Sequence, residues 1–174
     1  IEKAMKKNMT EQEYFKMVGD KTASLISASC YLGFYSNTKD KKFGSEIKEF
    51  GEYLGIAYQL KDDIFDIIGN INNIGKPSNL DLKKNMLTLP YIYSLSIMNK
   101  KEKKAFLIKI RRYASRGDIK TIKNMIIESG GIEYANNKVQ ELSEKAKKKL
   151  EKIPDSLYKD ALIKTVDFNI QRTY

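Results

Sequence analysis

The stretch from Gly51 to Leu95 reads GEYLGIAYQLKDDIFDIIGNINNIGKPSNLDLKKNMLTLPYIYSL, and the fold of the chain depends on it. Its first half is an apolar run with helical spacing, and it ends with three carboxylates, Asp62, Asp63 and Asp66. Its second half is rich in Asn, Gly and Lys. Carboxylates and lysines beside an apolar helix are the composition expected of a site for a metal-bound phosphorylated ligand.

The spacing of the three acids predicts a cation between them. Asp62 and Asp66 lie on one helix face, and Asp63 is rotated by about 100° from Asp62. Carboxylates this close repel one another unless a cation separates them, and oxygen-only ligands favour Mg²⁺ or Ca²⁺. The spacing does not match the loop of an EF-hand. Taken alone, it also fits the solvated acidic end of a helix.

The surroundings of the acids favour a site over a solvated helix end. The residues between Leu54 and Leu60 are mostly apolar, which predicts a buried helix. Gln59 is the polar exception, and it falls on nearly the same face as Asp62. Lysines follow on the predicted loop, where flexible cations can reach a phosphate. These lysines are Lys76, Lys83 and Lys84.

The order of these residues resembles the second aspartate-rich motif of the trans-prenyltransferases, the (E)-polyprenyl diphosphate synthases. The matching elements are Gly-Ile-Ala-Tyr-Gln-Leu-x-Asp-Asp-x-x-Asp, Gly75-Lys76-Pro77, Asp81 and Thr88-Leu89-Pro90. The resemblance implies an all-α, isoprenoid-synthase-type helical bundle, of which this chain is the C-terminal portion. It also implies that Asp62, Asp63 and Asp66 bind Mg²⁺ that bridges to the diphosphate of a substrate.

A second element, Lys21-Thr22, resembles the Lys-Thr pair with which this family contacts the allylic diphosphate. Standing alone, Lys21 reads as a surface lysine, but the small and apolar residues from Ala23 to Cys30 predict that it is held inside. The resemblance implies catalytic roles for Lys21, Thr22 and Lys76. It implies that the same three residues and Gln59 bind substrate.

Two positions depart from the family pattern. Asn79 stands where the family often has Gly, and Met86 stands where it usually has Lys. Lys83 or Lys84 is a candidate to supply the missing charge.

Composition excludes several classes of protein. The 174 residues include no His and one Cys, Cys30, which excludes His-dependent nucleophilic catalysis, an internal disulfide framework and a thiolate zinc cluster within this chain. No apolar run reaches the roughly 18 residues of a membrane span, so we expect a cytoplasmic protein without stable membrane insertion. The net charge of +10 is spread along the chain without a nucleic-acid-binding motif, so we expect no nucleic-acid partner.

Periodicity predicts a single all-α domain over residues 1–174, with no strand. Small residues between Ala23 and Gly33 indicate close helix packing or, more specifically, the lining of a prenyl tunnel. The last helix is predicted to start at Pro154-Asp155 and to bury Leu157, Ala161, Leu162, Val166 and Phe168. The earlier helices are predicted from the N-cap Thr10 to about Tyr35, then over Phe43–Ile68, Pro90–Met98, Lys101–Tyr113, Ile119–Glu128 and Ile132–Ile153.

The resemblance covers only the C-terminal half or more of the family, because the first aspartate-rich motif and the N-terminal helices are absent. We therefore expect a truncated chain or half of a split enzyme that is inactive alone. The complete enzyme is expected to be a homodimer that condenses isopentenyl diphosphate with an allylic prenyl diphosphate. Three different functions also fit the sequence: a non-catalytic or half-site subunit of a heteromeric synthase, a terpene cyclase and a basic nucleic-acid-binding domain. The second motif of the cyclases is not found.

Overall fold

The structure is a computed structural model that describes residues 9–37, 42–68, 87–116 and 118–173. All regular secondary structure in these residues is helical, and they contain no strand, which confirms the all-α prediction. A π-helical turn, Gly19–Ala23, joins α1 to α2. The helices are α1 (Glu11–Val18), α2 (Ser24–Asn37), α3 (Gly44–Ile68), α4 (Leu89–Ser96), α5 (Lys100–Arg116), α6 (Ile119–Glu128), α7 (Gly131–Leu150) and α8 (Leu157–Gln171).

The predicted N-cap of α1, Thr10, is confirmed, and Asp118 is the N-cap of α6. Glu13 N donates to Thr10 Oγ1 at 3.2 Å, and Thr10 N donates to a carboxylate oxygen of Glu13 at 3.0 Å, which is a capping box. Thr121 N donates to Asp118 Oδ1 at 3.1 Å. These side chains satisfy N–H groups that a helix leaves without an internal partner, so they determine where the chain enters each helix.

The predicted start of the last helix is wrong. Helix α8 begins at Leu157, and Ser156 is its N-cap, with extended backbone angles of φ −167° and ψ 160°. The hydroxyl of Ser156 accepts a hydrogen bond of 3.1 Å from Lys159 N. Because this bond fixes the cap at Ser156, Pro154 and Asp155 stay outside the helix.

The predicted burial of α8 is also partly wrong. Val166 is fully buried, whereas Leu157 is 84% exposed and Phe168 is 61% exposed. At about 100° per residue, Leu157, Ala161 and Phe168 share one face of the helix, and Val166 lies on the opposite face. The helix can bury only one of these faces within the described structure, and it buries the face that carries Val166.

The helix over Ile119–Glu128 has the predicted ends, the helix predicted from Thr10 to about Tyr35 is interrupted by the π-helical turn, and the remaining predicted helices are present with shifted ends. Helix α5 continues past the predicted Tyr113 to Arg116, and α7 ends at Leu150 instead of Ile153. Among the described residues, no helix combines the length and the apolar character needed to cross a bilayer.

The chain forms two compact units. The first unit contains the described residues 9–14, 62–68, 87–116 and 118–136, and the second contains 15–37, 42–61 and 137–173. Helices α1, α3 and α7 each contribute residues to both units. This division does not test the prediction of a single domain over 1–174, which stays a prediction.

In the second unit, α2 and α3 approach closely because glycine and small residues face one another. A Cβ added at Gly51 would lie 2.7 Å from the Cα of Ser27, and one added at Gly55 would lie 2.6 Å from the Cα of Ala23. Ala23 and Ser27 therefore serve close packing, as one of the two interpretations predicted. The core of this unit also contains the buried residues Ile47, Phe50, Leu54, Ala146, Leu150 and Val166.

In the first unit, a glycine pair connects α6 to α7. Gly130 has a φ of 75°, a left-handed conformation that costs glycine little, and it follows the end of α6. A Cβ on Gly131 would lie 2.5 Å from the carbonyl oxygen of Pro90, so α7 begins in contact with α4. The rings of Tyr93 and Tyr134 stack with centroids 4.2 Å apart.

Candidate active site

The three predicted metal ligands lie in the last two turns of α3, but their side chains do not share one environment. Asp62 and Asp66 are half-buried. Asp63 is 5% exposed, and its Oδ2 accepts a hydrogen bond of 2.6 Å from the hydroxyl of the fully buried Tyr14. The two half-buried carboxylates are one helical turn apart, whereas the third is packed into the first unit.

The number of half-buried carboxylates, Asp62 and Asp66, equals the number that a hard divalent cation usually takes from a protein. Mg²⁺ takes one or two protein carboxylates and completes its shell with water and phosphate oxygens. In the part of the chain that the structure describes, no three acidic, cysteine or histidine side chains are arranged to hold a metal ion. The pair suits such an ion, while Asp63 is engaged with Tyr14.

A lysine compensates the carboxyl end of α3 within the first unit. Carboxylates at that end oppose the helix dipole, which is unfavourable without a nearby cation. Lys123 of α6 donates from Nζ to the carbonyl oxygen of Ile68 at 2.9 Å. It satisfies a carbonyl at the helix end and brings a positive charge to the end that carries the acids.

Lys21 and Thr22 lie in the π-helical turn of the second unit. Single π-helical turns inside α-helices are frequent at functional sites. The hydroxyl of Thr22 donates to Oε1 of Gln59 in α3 at 2.7 Å. The structure thus brings together two residues that were predicted to bind substrate and that are far apart in sequence.

The prediction that Lys21 is held inside is wrong, because its side chain is exposed. The small residues around it do not form a continuous cover. Ala23 and Ser27 are buried against α3, but Ser24 and Ala28 are exposed on another side of the helix. Small side chains are compatible with both environments, so their presence did not predict burial. Exposure leaves the ammonium group available to a charged ligand.

The end of α8 contacts α3 through two cations in the second unit. The guanidinium of Arg172 lies 4.0 Å from the ring centroid of Tyr58, and its Nη2 donates to the carbonyl oxygen of Tyr58 at 2.8 Å. Lys61 Nζ donates to the carbonyl oxygen of Ile170 at 3.0 Å. Burial and the neighbouring charge of Arg172 lower the pKa of Lys61. These contacts join the end of α8 to α3 within the second unit.

The predicted loop residues of the site lie outside the described residues. These are Gly75, Lys76, Pro77, Asn79, Asp81, Lys83, Lys84 and Met86. The end of the motif is described: Thr88 is the N-cap of α4, and Pro90 lies in its first turn, where a missing N–H costs nothing.

Tyr14, Lys61, Lys123 and Arg172 take part in these contacts, but sequence reasoning did not select them. Tyr14 reads as an ordinary core aromatic, and both lysines read as surface charges. Arg172 stands near the end of the sequence, where no local pattern identifies a partner for it. The partners of the other three are distant in sequence, so no local pattern identified them.

The sequence matches proteins of one family. Residues 1–126 match the family described as Polyprenyl synthetase. A prenyl transferase of Cyanidium caldarium is 34% identical over 151 residues, which cover 87% of this chain and 46% of that protein. The geranylgeranyl diphosphate synthase of Saccharolobus solfataricus is 33% identical over 168 residues, covering 95% of this chain and 50% of that protein. The chain thus spans about half the length of these relatives.

The fold matches solved structures of similarly named proteins. A polyprenyl synthase from Caulobacter crescentus, complexed with calcium and isoprenyl diphosphate, superposes with a TM-score of 0.87 at 26% identity. The match covers 98% of this chain and 52% of that protein. Three findings point to the same family: the matched fold, the family match over most of the chain and the motif on α3. This chain belongs to the polyprenyl synthetase family.

Proposed function

We propose that this chain supplies the second aspartate-rich motif and the Lys-Thr element of an (E)-polyprenyl diphosphate synthase. Such an enzyme condenses isopentenyl diphosphate with an allylic prenyl diphosphate. The family match carries this proposal, because its range of residues 1–126 contains every residue predicted for the site. Neither the described part of the chain nor its relatives favour a non-catalytic subunit, a terpene cyclase or a nucleic-acid-binding domain.

The motif of Asp62, Asp63 and Asp66 is proposed as the metal-binding element, with Asp62 and Asp66 as the carboxylates that suit Mg²⁺. When bound, Mg²⁺ supplies positive charge that stabilises the leaving diphosphate. Lys21 and Lys76 neutralise further phosphate oxygens. Their charge is most valuable where negative charge develops as the carbon–oxygen bond breaks.

The remaining residues of the site orient the substrate. The Thr22 hydroxyl and the Gln59 amide, held together by their hydrogen bond, present fixed dipoles to the allylic group. Breaking the allylic carbon–oxygen bond gives an allylic cation and pyrophosphate, and the double bond of isopentenyl diphosphate attacks the cation. A proton then leaves the new chain, and we assign its uptake to pyrophosphate. The apolar helices exclude water from the cation.

The whole enzyme is proposed to act in the cytoplasm as a homodimer that does not bind nucleic acid. Two large apolar residues on α2 are exposed, Leu25 at 72% and Leu32 at 62%. They support association, because monomeric soluble proteins seldom expose groups of large apolar side chains. Light scattering of the chain measures association, and a gel shift at low salt tests for nucleic-acid binding.

The test is incorporation of labelled isopentenyl diphosphate into an allylic diphosphate. The chain is assayed alone and fused to the upstream half of the Saccharolobus solfataricus synthase. We expect the fusion to be active with Mg²⁺ and inactive with a chelator, and the chain alone to be inactive. The upstream half alone is the control. A folded fusion that binds neither Mn²⁺ nor pyrophosphate would contradict the proposed function.

A further inference from the structure

The hydrogen bond between Tyr14 and Asp63 joins two residues that are both removed from solvent. Tyr14 is 0% exposed and Asp63 is 5% exposed, and the bond between the hydroxyl and Oδ2 is 2.6 Å long. It connects α1 to the end of α3 across 49 positions of sequence. A short bond from a buried donor to a carboxylate is among the stronger hydrogen bonds in proteins.

The direction of Asp63 separates it from the other two acids of its motif. Around the helix axis Asp63 is about 100° from Asp62 and about 60° from Asp66, and Asp62 and Asp66 are about 40° apart. When the helix directs Asp63 to the buried Tyr14, Asp62 lies furthest from that direction and Asp66 lies between the two. This agrees with their half-buried side chains.

We propose that Asp63 is a positioning residue and not a metal ligand. Through Tyr14 it fixes the rotation of the last two turns of α3, and thereby the direction of the Asp62 and Asp66 carboxylates. This inference rests on the proposed function, and it narrows the ligand set from three carboxylates to two. Two carboxylates match the usual demand of Mg²⁺, and the described residues hold no arrangement of three.

A positioning role and a ligand role for Asp63 make opposite predictions for one pair of substitutions. Tyr14→Phe removes one hydrogen-bond donor from a buried carboxylate, which destabilises a protein, whereas replacing both partners by apolar groups of similar shape is nearly neutral. If Asp63 only positions the helix, Tyr14→Phe combined with Asp63→Leu restores both packing and metal affinity. If Asp63 binds metal, the combination restores packing and loses the metal.

The experiment measures thermal melts and the affinity for Mn²⁺ with pyrophosphate by calorimetry, on the 174-residue chain. We expect Tyr14→Phe to lower the melting temperature by roughly 3 to 10 °C and to weaken Mn²⁺ binding by about threefold. The double variant should recover most of both losses. Asp62→Leu should weaken Mn²⁺ binding by more than about tenfold with little change in melting.

Two control substitutions test whether loss of any tyrosine hydroxyl, or of any negative charge on α3, changes the melting temperature or the affinity for Mn²⁺. Tyr158→Phe removes a hydroxyl from a side chain that is 84% exposed, and it should change neither readout. Glu52→Gln removes an exposed negative charge from the same helix about 15 Å before Asp62, and it measures the effect of charge alone.

The outcomes are distinct. A double variant that melts normally but binds Mn²⁺ as weakly as Asp62→Leu would show that Asp63 is a ligand, and the proposed function would survive. A double variant that melts no better than Tyr14→Phe would overturn the positioning role. If the unchanged chain binds neither Mn²⁺ nor pyrophosphate, the proposed function fails, and the assignment of ligands fails with it.

Discussion

Helices α3 and α7, with 25 and 20 residues, are the longest in the described structure, and they use polar side chains in opposite ways. Helix α7 is amphipathic: Val139, Ala146 and Leu150 are buried, and the opposite face carries ion pairs. The second half of α3 is mostly apolar up to its acids, and two of its polar residues make contacts with distant parts of the chain. Gln59 bonds to Thr22 of the π-helical turn, 37 positions away, and Asp63 bonds to Tyr14 of α1, 49 positions away.

This difference predicts which substitutions change stability or activity most. When one residue of an exposed ion pair in α7 is replaced, water solvates the remaining charge, and the protein loses little stability. In α3, the glycines contact backbone atoms, Asp63 bonds to a buried hydroxyl, and Asp62 and Asp66 are proposed to bind the metal. Water cannot replace these contacts without a loss of stability or of binding. We therefore expect effects of substitution to decrease from the acids of α3, through its glycine contacts and its hydrogen bond to Thr22, to the ion pairs of α7.

The largest effect is expected for Asp62→Ala in the fusion with the upstream half of a relative. Loss of one group that stabilises developing charge costs on the order of 100- to 1000-fold in rate. The apo chain should melt at an equal or slightly higher temperature, because crowded carboxylates repel. Steady-state incorporation at varied Mg²⁺ and melts of the apo protein check this. Activity within a few-fold of the unchanged fusion would rule out Asp62 as a ligand.

Gly55→Ala should destabilise the second unit by about 2 kcal/mol, because overpacking outweighs the gain in helix propensity. The new Cβ would lie 2.6 Å from the Cα of Ala23, a backbone atom that cannot rotate away. Gly33→Ala is the matched control, since a Cβ there meets nothing within 4 Å. That substitution should stabilise α2 by roughly 0.5 to 1 kcal/mol. Urea unfolding should shift the two midpoints in opposite directions, and equal shifts would contradict the close contact.

Thr22→Val should cost about 1 kcal/mol, because Gln59 loses a hydrogen bond of 2.7 Å in a partly buried place. Thr165→Val removes a hydroxyl of the same type from an exposed position, where it bonds only to the Ala161 carbonyl of its own helix. Urea unfolding of both variants compares the two losses. If Thr165→Val were as damaging, the cost would come from the residue type and not from the contact with Gln59.

Local patterns predicted most of the fold. The capping sequence at Thr10 and the helix over Ile119–Glu128 depend on residues within a few positions of each other, and the structure confirms them. The position of the acids at the end of α3 was also predicted, because the apolar run before them is long and continuous.

Choices between two helix faces and between distant partners were not predicted. Leu157 and Phe168 are apolar but exposed, because α8 buries the face that carries Val166. Spacing grouped all three acids, whereas the bond to Tyr14 sets Asp63 apart. Such outcomes depend on which elements meet in three dimensions, and a pattern of 3.6 residues per turn contains no such information.

The smallest effect is expected for Glu141→Gln on the exposed face of α7. Glu141 accepts hydrogen bonds from Lys138 at 2.8 Å and Lys145 at 2.7 Å, and these bonds lower its pKa to about 2 from an ordinary value of 4.5. Since the carboxyl is 44% exposed, water and salt screen the pairs, and the loss should be a few tenths of a kcal/mol. Lys145→Ala should be as mild.

The pH dependence of this small loss identifies its origin. A carboxyl whose pKa is lowered on folding contributes stability above the unfolded pKa of about 4.5, and it loses that contribution as the pH falls towards 2. The gap in melting temperature between the unchanged chain and Glu141→Gln should therefore be constant above about pH 5 and close by about pH 2. It should also shrink in 1 M salt, where the Debye length is about 3 Å. Calorimetric melts across this range measure the gap. A difference in melting temperature that persists at pH 2 would have to come from packing of the Glu141 side chain. The exposed face of α7 would then depend on specific contacts, as α3 does, and not on ion pairs.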